Sequence, residues 1–133
     1  MPTLLIVDGA NVVGSVPDGW WHDRRAAAER LRDRLTGYVE DGVPGVPGPL
    51  DIVLVLEGAA RGVPSVPGVQ VEEAPGNGDD HIVRLAAAAA DRSRVVVTAD
   101  RELRRRVTAA GATTVGPRTV YGPGDQDTSG RER

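Results

Sequence analysis

Apolar positions come in short blocks with two different periods. Leu4 to Val7 is an unbroken apolar run closed by Asp8-Gly9, which predicts a buried strand over Thr3 to Val7. From His22 to Glu40 the apolar positions Ala27, Leu31, Leu35, Tyr38 and Val39 follow the helical period, with arginines and acids between them. Gly42 to Pro49 is rich in proline and glycine and predicts a loop. Leu50 to Leu56 is almost continuously apolar, as in a strand covered on both faces. A second Pro/Gly loop, Arg61 to Gly68, leads into a short alternating strand, Val69 to Glu73. Asn77 opens a helix that runs through Ile82, Leu85, Ala86 and Ala89 to about Asp91. Arg94 to Thr98 predicts a strand, Asp100 to Ala110 a helix stopped by Gly111, and Ala112 to Val115 a last strand.

Strands alternating with helices imply an α/β/α sandwich around a mostly parallel five-stranded sheet. Right-handed crossovers restrict the topology. A chain that winds outward from its first strand and then returns gives the order 3-2-1-4-5. Its switch point lies between the first strand and the Val95–Thr98 strand, where open α/β sheets bind ligands. The domain is expected to span residues 1–116. Residues 117–133, rich in Pro, Gly and charge, are expected to form a loosely held tail. Val43 to Gly48 and Val63 to Gly68 are near-repeats, too short for structural units and read as two stiff loops.

Composition narrows the chemistry. The 133 residues contain no cysteine, which excludes disulfides, thiolate metal sites and a cysteine nucleophile. All sixteen basic residues are arginine. The missing lysine excludes a P-loop and Schiff-base catalysis. A net charge of −3 offers no global attraction for nucleic acid, so any such binding must rest on a local arginine patch. No apolar run is long enough to span a bilayer and no secretory signal opens the chain, so the cytoplasm is the expected compartment.

The expected carboxyl edge of the sheet collects acids from four segments. They are Asp8 with Asn11 after the first strand, Glu57 after the second, Asp79 and Asp80 at one helix start, and Thr98-Ala99-Asp100 at another. Each has a plain structural reading: Asp8 as a turn residue, Asp100 as an N-cap, Asp80 as the partner of a capping box, Glu57 as a solvated strand end. Together they are harder to explain. Two carboxylates roughly 5 Å apart repel by about 3 kcal/mol at an effective dielectric near 20, and a divalent cation turns that repulsion into ligation. Oxygen-only ligands suit Mg²⁺ or Mn²⁺, which activate water and neutralise charge in phosphoryl chemistry. The two histidines, His22 and His81, read as surface residues at helix starts.

Residues 4–14, with Asp8-Gly-Ala-Asn11, then 77–82, with Asp79-Asp80, and 95–103, with Thr98-Ala-Asp100, resemble the NYN domain. Within the PIN-like nuclease superfamily they are most similar to its YacP-like branch, and the likeness extends over about residues 3 to 115. It implies a PIN-like fold, a carboxylate-bound Mg²⁺ or Mn²⁺ and endoribonuclease activity. Carried over by position, Asp8, Asp79 and Asp100 match the catalytic metal ligands, and Asn11 and Thr98 match supporting polar positions. Asp79 is preferred to Asp80 because it precedes Ile82 by three residues. Similar proteins often carry Asp where this chain has Glu57, so Glu57 and Asp80 are further candidate ligands. RNA is the implied partner, and the ribosome or another RNA-bound protein stays open as a second.

Arg101, Arg105 and Arg61 are the candidate RNA contacts, with Arg104, Arg106, Arg24 and Arg25 on the same helices as the first two or on the first helix. Trp20 and Trp21 are read as core or rim packing, with a base-stacking role as the alternative. The reading is therefore a metal-dependent ribonuclease. The alternative is a catalytically inactive PIN-like module that binds RNA or a protein. A phosphatase or phospho-receiver would need a lysine that the chain lacks, whereas a nucleotide hydrolase stays open.

Overall fold

A computed structural model describes residues 1–16 and 19–121. Its centre is β1 (Thr3–Asp8), paired in parallel with β4 (Leu50–Leu56) on one side and β6 (Arg94–Val97) on the other. β5 (Val69–Glu73) extends the β4 side and β7 (Thr113–Val115) extends the β6 side, again in parallel. The resulting order, β5-β4-β1-β6-β7, is the expected 3-2-1-4-5 winding with its switch point between β1 and β6.

Side-chain alternation explains why the three central strands are apolar on both faces along most of their length. Leu5 and Val7 of β1, Ile52, Leu54 and Leu56 of β4, and Val95 and Val97 of β6 belong to one core layer. The interleaved Ile6, Val53, Val55 and Val96 belong to the other. The first layer is closed by α2 (Arg24–Leu35), through Ala27, Ala28, Leu31 and Leu35. The second is closed by α3 (Gly78–Ala88) and α4 (Arg101–Ala109), through Ile82, Ala86, Leu103 and Val107.

The structure differs from expectation in four places. A short helix, α1 (Gly9–Gly14), follows β1 directly, because the Asp8 side chain accepts from the Asn11 N–H and starts a turn there. The first long helix begins only at Arg24, capped by Asp23, and ends at Leu35 in a 3-10 turn over Thr36–Tyr38. The Gly42–Pro49 loop holds a small hairpin, β2 (Gly42–Val43) with β3 (Val46–Pro47), turned by Gly45 at φ +82°. Finally, packing continues past Gly116. Pro117 and Val120 are buried, and the Val120 carbonyl accepts from Arg34 Nε at 2.6 Å and from the Tyr38 hydroxyl at 2.8 Å. The rest of the expected tail, residues 122–133, lies outside the described residues.

Candidate active site

Burial isolates two side chains before any chemistry is assumed. Among the described residues, the buried polar ones are Asp8, 5% exposed, and Thr98, 0% exposed. They meet across the switch point. The Thr98 hydroxyl donates to Asp8 Oδ2 at 2.9 Å and accepts from the Asp100 N–H at 3.1 Å, bridging the ends of the two central strands. Asn11 Oδ1 accepts from the Ala99 N–H at 2.8 Å and ties α1 to the same turn. Arg104 Nε donates to the Thr98 carbonyl at 2.8 Å and fixes it from α4. The sequence reading did not give Arg104 this part; its spacing six residues after Thr98 on the following helix was the available signal.

The helix caps bring the remaining acids to this edge. Asp100 caps α4 through Oδ1, which accepts from the Leu103 N–H at 2.9 Å. Its plain reading as an N-cap is therefore correct, and it stands at the switch point as well. Asn77 caps α3 and places Asp79 and Asp80 in the first turn. Gly78 lets that helix come close to the β4 end: a Cβ there would lie 2.8 Å from Glu57 Oε2. This glycine went unnoticed in the sequence, although a Gly directly after an Asn cap is a visible mark of close approach.

Electrostatic coupling shows which acids share the space. Burial pushes the Asp8 carboxyl up to about 6; the Thr98 and Asn11 hydrogen bonds oppose this, and the charges of Asp79 and Glu57 add to it. Asp79 is also raised, first by burial, then by Asp100 and Glu57, with Arg106 acting against them and Asp80 with them. The charges of Asp79 and Glu57 thus act on Asp8, and those of Asp100 and Glu57 act on Asp79, along one edge of the sheet. Asp80 is turned toward α4, with Oδ1 2.8 Å from Arg106 Nη2. Among the described residues no group of three or more carboxylate or imidazole side chains is already arranged to hold a metal ion. The donor set is all carboxylate oxygen, the type that suits hard divalent cations.

The basic candidates divide. Arg101, at the first position of α4, is exposed. Arg105 is ion-paired with Glu102 on the outer face of the same helix, and Arg61 Nη2 donates to the Ala74 carbonyl at 2.7 Å. Arg25 Nη2 holds the Gly62 carbonyl at 2.9 Å. His81 Nε2 lies 2.6 Å from Glu72 Oε1 on β5. Trp21 is 55% exposed beside the His22 ring, and the Trp20 side chain lies outside what the structure describes.

No protein-family profile matches the chain, and no curated protein matches it. Solved structures do. The chain superposes on Rae1 (YacP) from Bacillus subtilis with a TM-score of 0.72 at 20% identity, covering 89% of this chain and 71% of that one. A tryptophan-to-leucine mutant of that protein gives 0.68 at 22% identity, covering 90% and 72%. The architecture is therefore YacP-like, in keeping with the likeness carried by the three sequence motifs. No helix among the described residues is long and apolar enough to cross a membrane.

Proposed function

We propose that this chain is a divalent-cation-dependent ribonuclease that hydrolyses RNA phosphodiesters internally. The observation that supports the reading is the collection of Asp8, Glu57, Asp79 and Asp100 along one edge of the sheet, with Asp8 and Asp79 each raised from the ordinary carboxylate value by burial and by neighbouring acids. Motifs resembling the YacP-like branch of the PIN-like nucleases, on a YacP-like fold, support the same conclusion. Asp8, Asp79 and Asp100 would hold Mg²⁺ or Mn²⁺, with Glu57 at the edge of the set and Asp80 turned toward Arg106. When bound, such a cation supplies a water of lowered pKa and neutralises the charge developing on the phosphodiester.

The protein's own contribution is positioning. Thr98 fixes Asp8 Oδ2 and the Asp100 backbone with one hydroxyl, so a shift of either strand end would be felt by both acids. Asn11 sets the turn that carries Asp100. Arg101, one residue past Asp100, is the candidate for a phosphate contact with the RNA strand, and Arg61 and Arg105 are further back because each already holds a neighbour. RNA is the partner in this reading, with the ribosome or another RNA-bound protein as the alternative setting, and a net charge of −3 leaves the attraction for RNA to local arginines.

The test is cleavage of labelled RNA with and without Mn²⁺ by the wild type, Asp8→Asn and Asp100→Asn. Cleavage by the wild type alone, and only with the cation, is expected. Retained activity in both purified variants would overturn the mechanism. RNA binding without cleavage, together with no Mn²⁺ binding by calorimetry, would mark a non-catalytic RNA-binding module instead.

A further inference from the structure

A cavity of about 240 Å³ opens beside the acidic edge, on the α2 side of the sheet. Its lining is mostly apolar: Gly9, Ala10 and Val13 from α1, Ala28 from α2, Leu56 from β4 and Ala60 from the turn after it. Small residues keep this space open where a larger side chain on any of these elements would close it. Among the described residues two charged ones line it, Arg24 from the first turn of α2 and Glu57 just after β4. Glu57 is also one of the acids that raise Asp8 and Asp79, so a group seated in the cavity lies next to the carboxylate cluster.

We infer that this cavity is a subsite for a single unpaired nucleobase, guanine, of the RNA strand whose phosphodiester faces Asp8 and Asp79. The inference rests on the ribonuclease reading and specifies which part of the substrate enters. Size is the first argument. The volume lies below the roughly 300–1,000 Å³ of pockets that take whole drug-sized ligands, so one ring system fits and an entire nucleotide does not. Wall chemistry is the second, because the base is the one flat, weakly polar part of an RNA strand, and single-stranded RNA is read by splaying bases into such slots. Charge is the third. A carboxylate only accepts hydrogen bonds, and guanine presents two adjacent donors, N1–H and the N2 amino group, on its Watson–Crick edge. Uracil offers one donor between two carbonyls, which a carboxylate repels.

Nucleosides without phosphate separate this subsite from the cation chemistry. Methyl NMR spectra of the full chain in EDTA, titrated with guanosine and with uridine, should show shifts of the Ala10, Ala28 and Ala60 methyls with guanosine at least tenfold tighter than uridine. Glu57→Gln should remove that preference, and Ala60→Leu should abolish both sets of shifts by filling the cavity, with Val13→Leu as the second filling variant if the first fails to fold. In Mn²⁺-dependent cleavage of a mixed-sequence RNA, wild type should prefer one position bearing G next to the cut, and Ala60→Leu should cut without that preference. If no nucleoside moves these methyls, or if guanosine and uridine bind alike, the subsite is refuted while the nuclease reading stands. If guanosine binds as stated and RNA is not cut, the nuclease reading fails and the base subsite remains.

Discussion

Replacing Asp8 with Asn removes one negative charge from the most buried position of the acidic edge and leaves the side-chain size unchanged. Folding takes the Asp8 carboxyl from an ordinary 3.8 to about 6, chiefly by burial. That difference corresponds to about 3 kcal/mol by which the charged form disfavours the fold. The sign follows from proton counting. Between pH 3.8 and about 6 the folded state holds a proton that the unfolded state has released, so stability falls as pH rises through this window. Above about 6 the full penalty is present; below about 4 it has gone. Asparagine escapes the penalty, but its single acceptor cannot serve both Thr98 Oγ1 and the Asn11 N–H, which costs about 1 kcal/mol. In EDTA at pH 8, Asp8→Asn should therefore be about 2 kcal/mol more stable than wild type, some 8 °C in Tm for a domain of this size. At pH 4 the advantage should vanish or reverse. Thermal unfolding at both pH values, without and with millimolar Mn²⁺, reads this directly. The cation should raise the wild-type Tm, adding about 2.7 kcal/mol of stability at a hundredfold excess over Kd, and leave the variant unmoved. A variant less stable than wild type at pH 8, or a difference that does not shrink toward pH 4, would refute the account of Asp8 as a desolvated charge.

Thr98→Val should cost about 1–3 kcal/mol in urea unfolding, because the Asp100 N–H loses its acceptor inside the fold. A carboxyl-detected NMR titration should find Asp8 moved still higher, since a bond that lowers it is gone. Gly9→Ala should lower stability by about 3 kcal/mol in the same assay, because its Cβ would meet the Val55 carbonyl oxygen at 2.6 Å and Leu56 Cδ2 at 2.7 Å. Gly78→Ala meets only the far end of a flexible side chain, so stability should stay within about 0.5 kcal/mol while Glu57 is pushed off the cluster. A tenfold or greater loss of Mn²⁺-dependent cleavage would place Glu57 among the working acids, and unchanged cleavage would remove it.

The winding of the sheet was legible because β1, β4 and β6 are apolar on both faces, and β1 ends in Asp8 while Glu57 and Thr98 directly follow β4 and β6. Periodicity and strand ends are local signals, and they suffice to bring Asp8 and Asp100 to one edge. What stayed hidden depends on distance in the chain. Nothing near Asp80 shows that Arg106, 26 residues away, will draw its carboxylate toward α4. Nothing near Arg61 shows that the Ala74 carbonyl will hold its guanidinium. The residues after Gly116 look like a tail by composition, yet Val120 fills a gap beside α2 that only the assembled core creates, and Arg34 and Tyr38 secure its carbonyl.

The same dependence explains why caps and candidate ligands coincide here. An aspartate in the turn between a parallel strand and a helix, capping the helix, has one oxygen drawn to the helix N–H groups, as Asp100 Oδ1 is to Leu103. Such a cap orients the carboxylate without adding a countercharge. The structural role and the chemical one therefore do not compete for Asp100: capping fixes the group's direction while its charge still acts on Asp79. Asp8 is the extreme form, because it caps α1, accepts from Thr98 and is buried with no cationic partner among the causes of its shift. A fold that needed only turns at these strand ends would be served by asparagine or serine at lower electrostatic cost. Retaining the charge at that cost is what an acidic site for a cation requires, and it is why the stability of Asp8→Asn and its activity are expected to move in opposite directions.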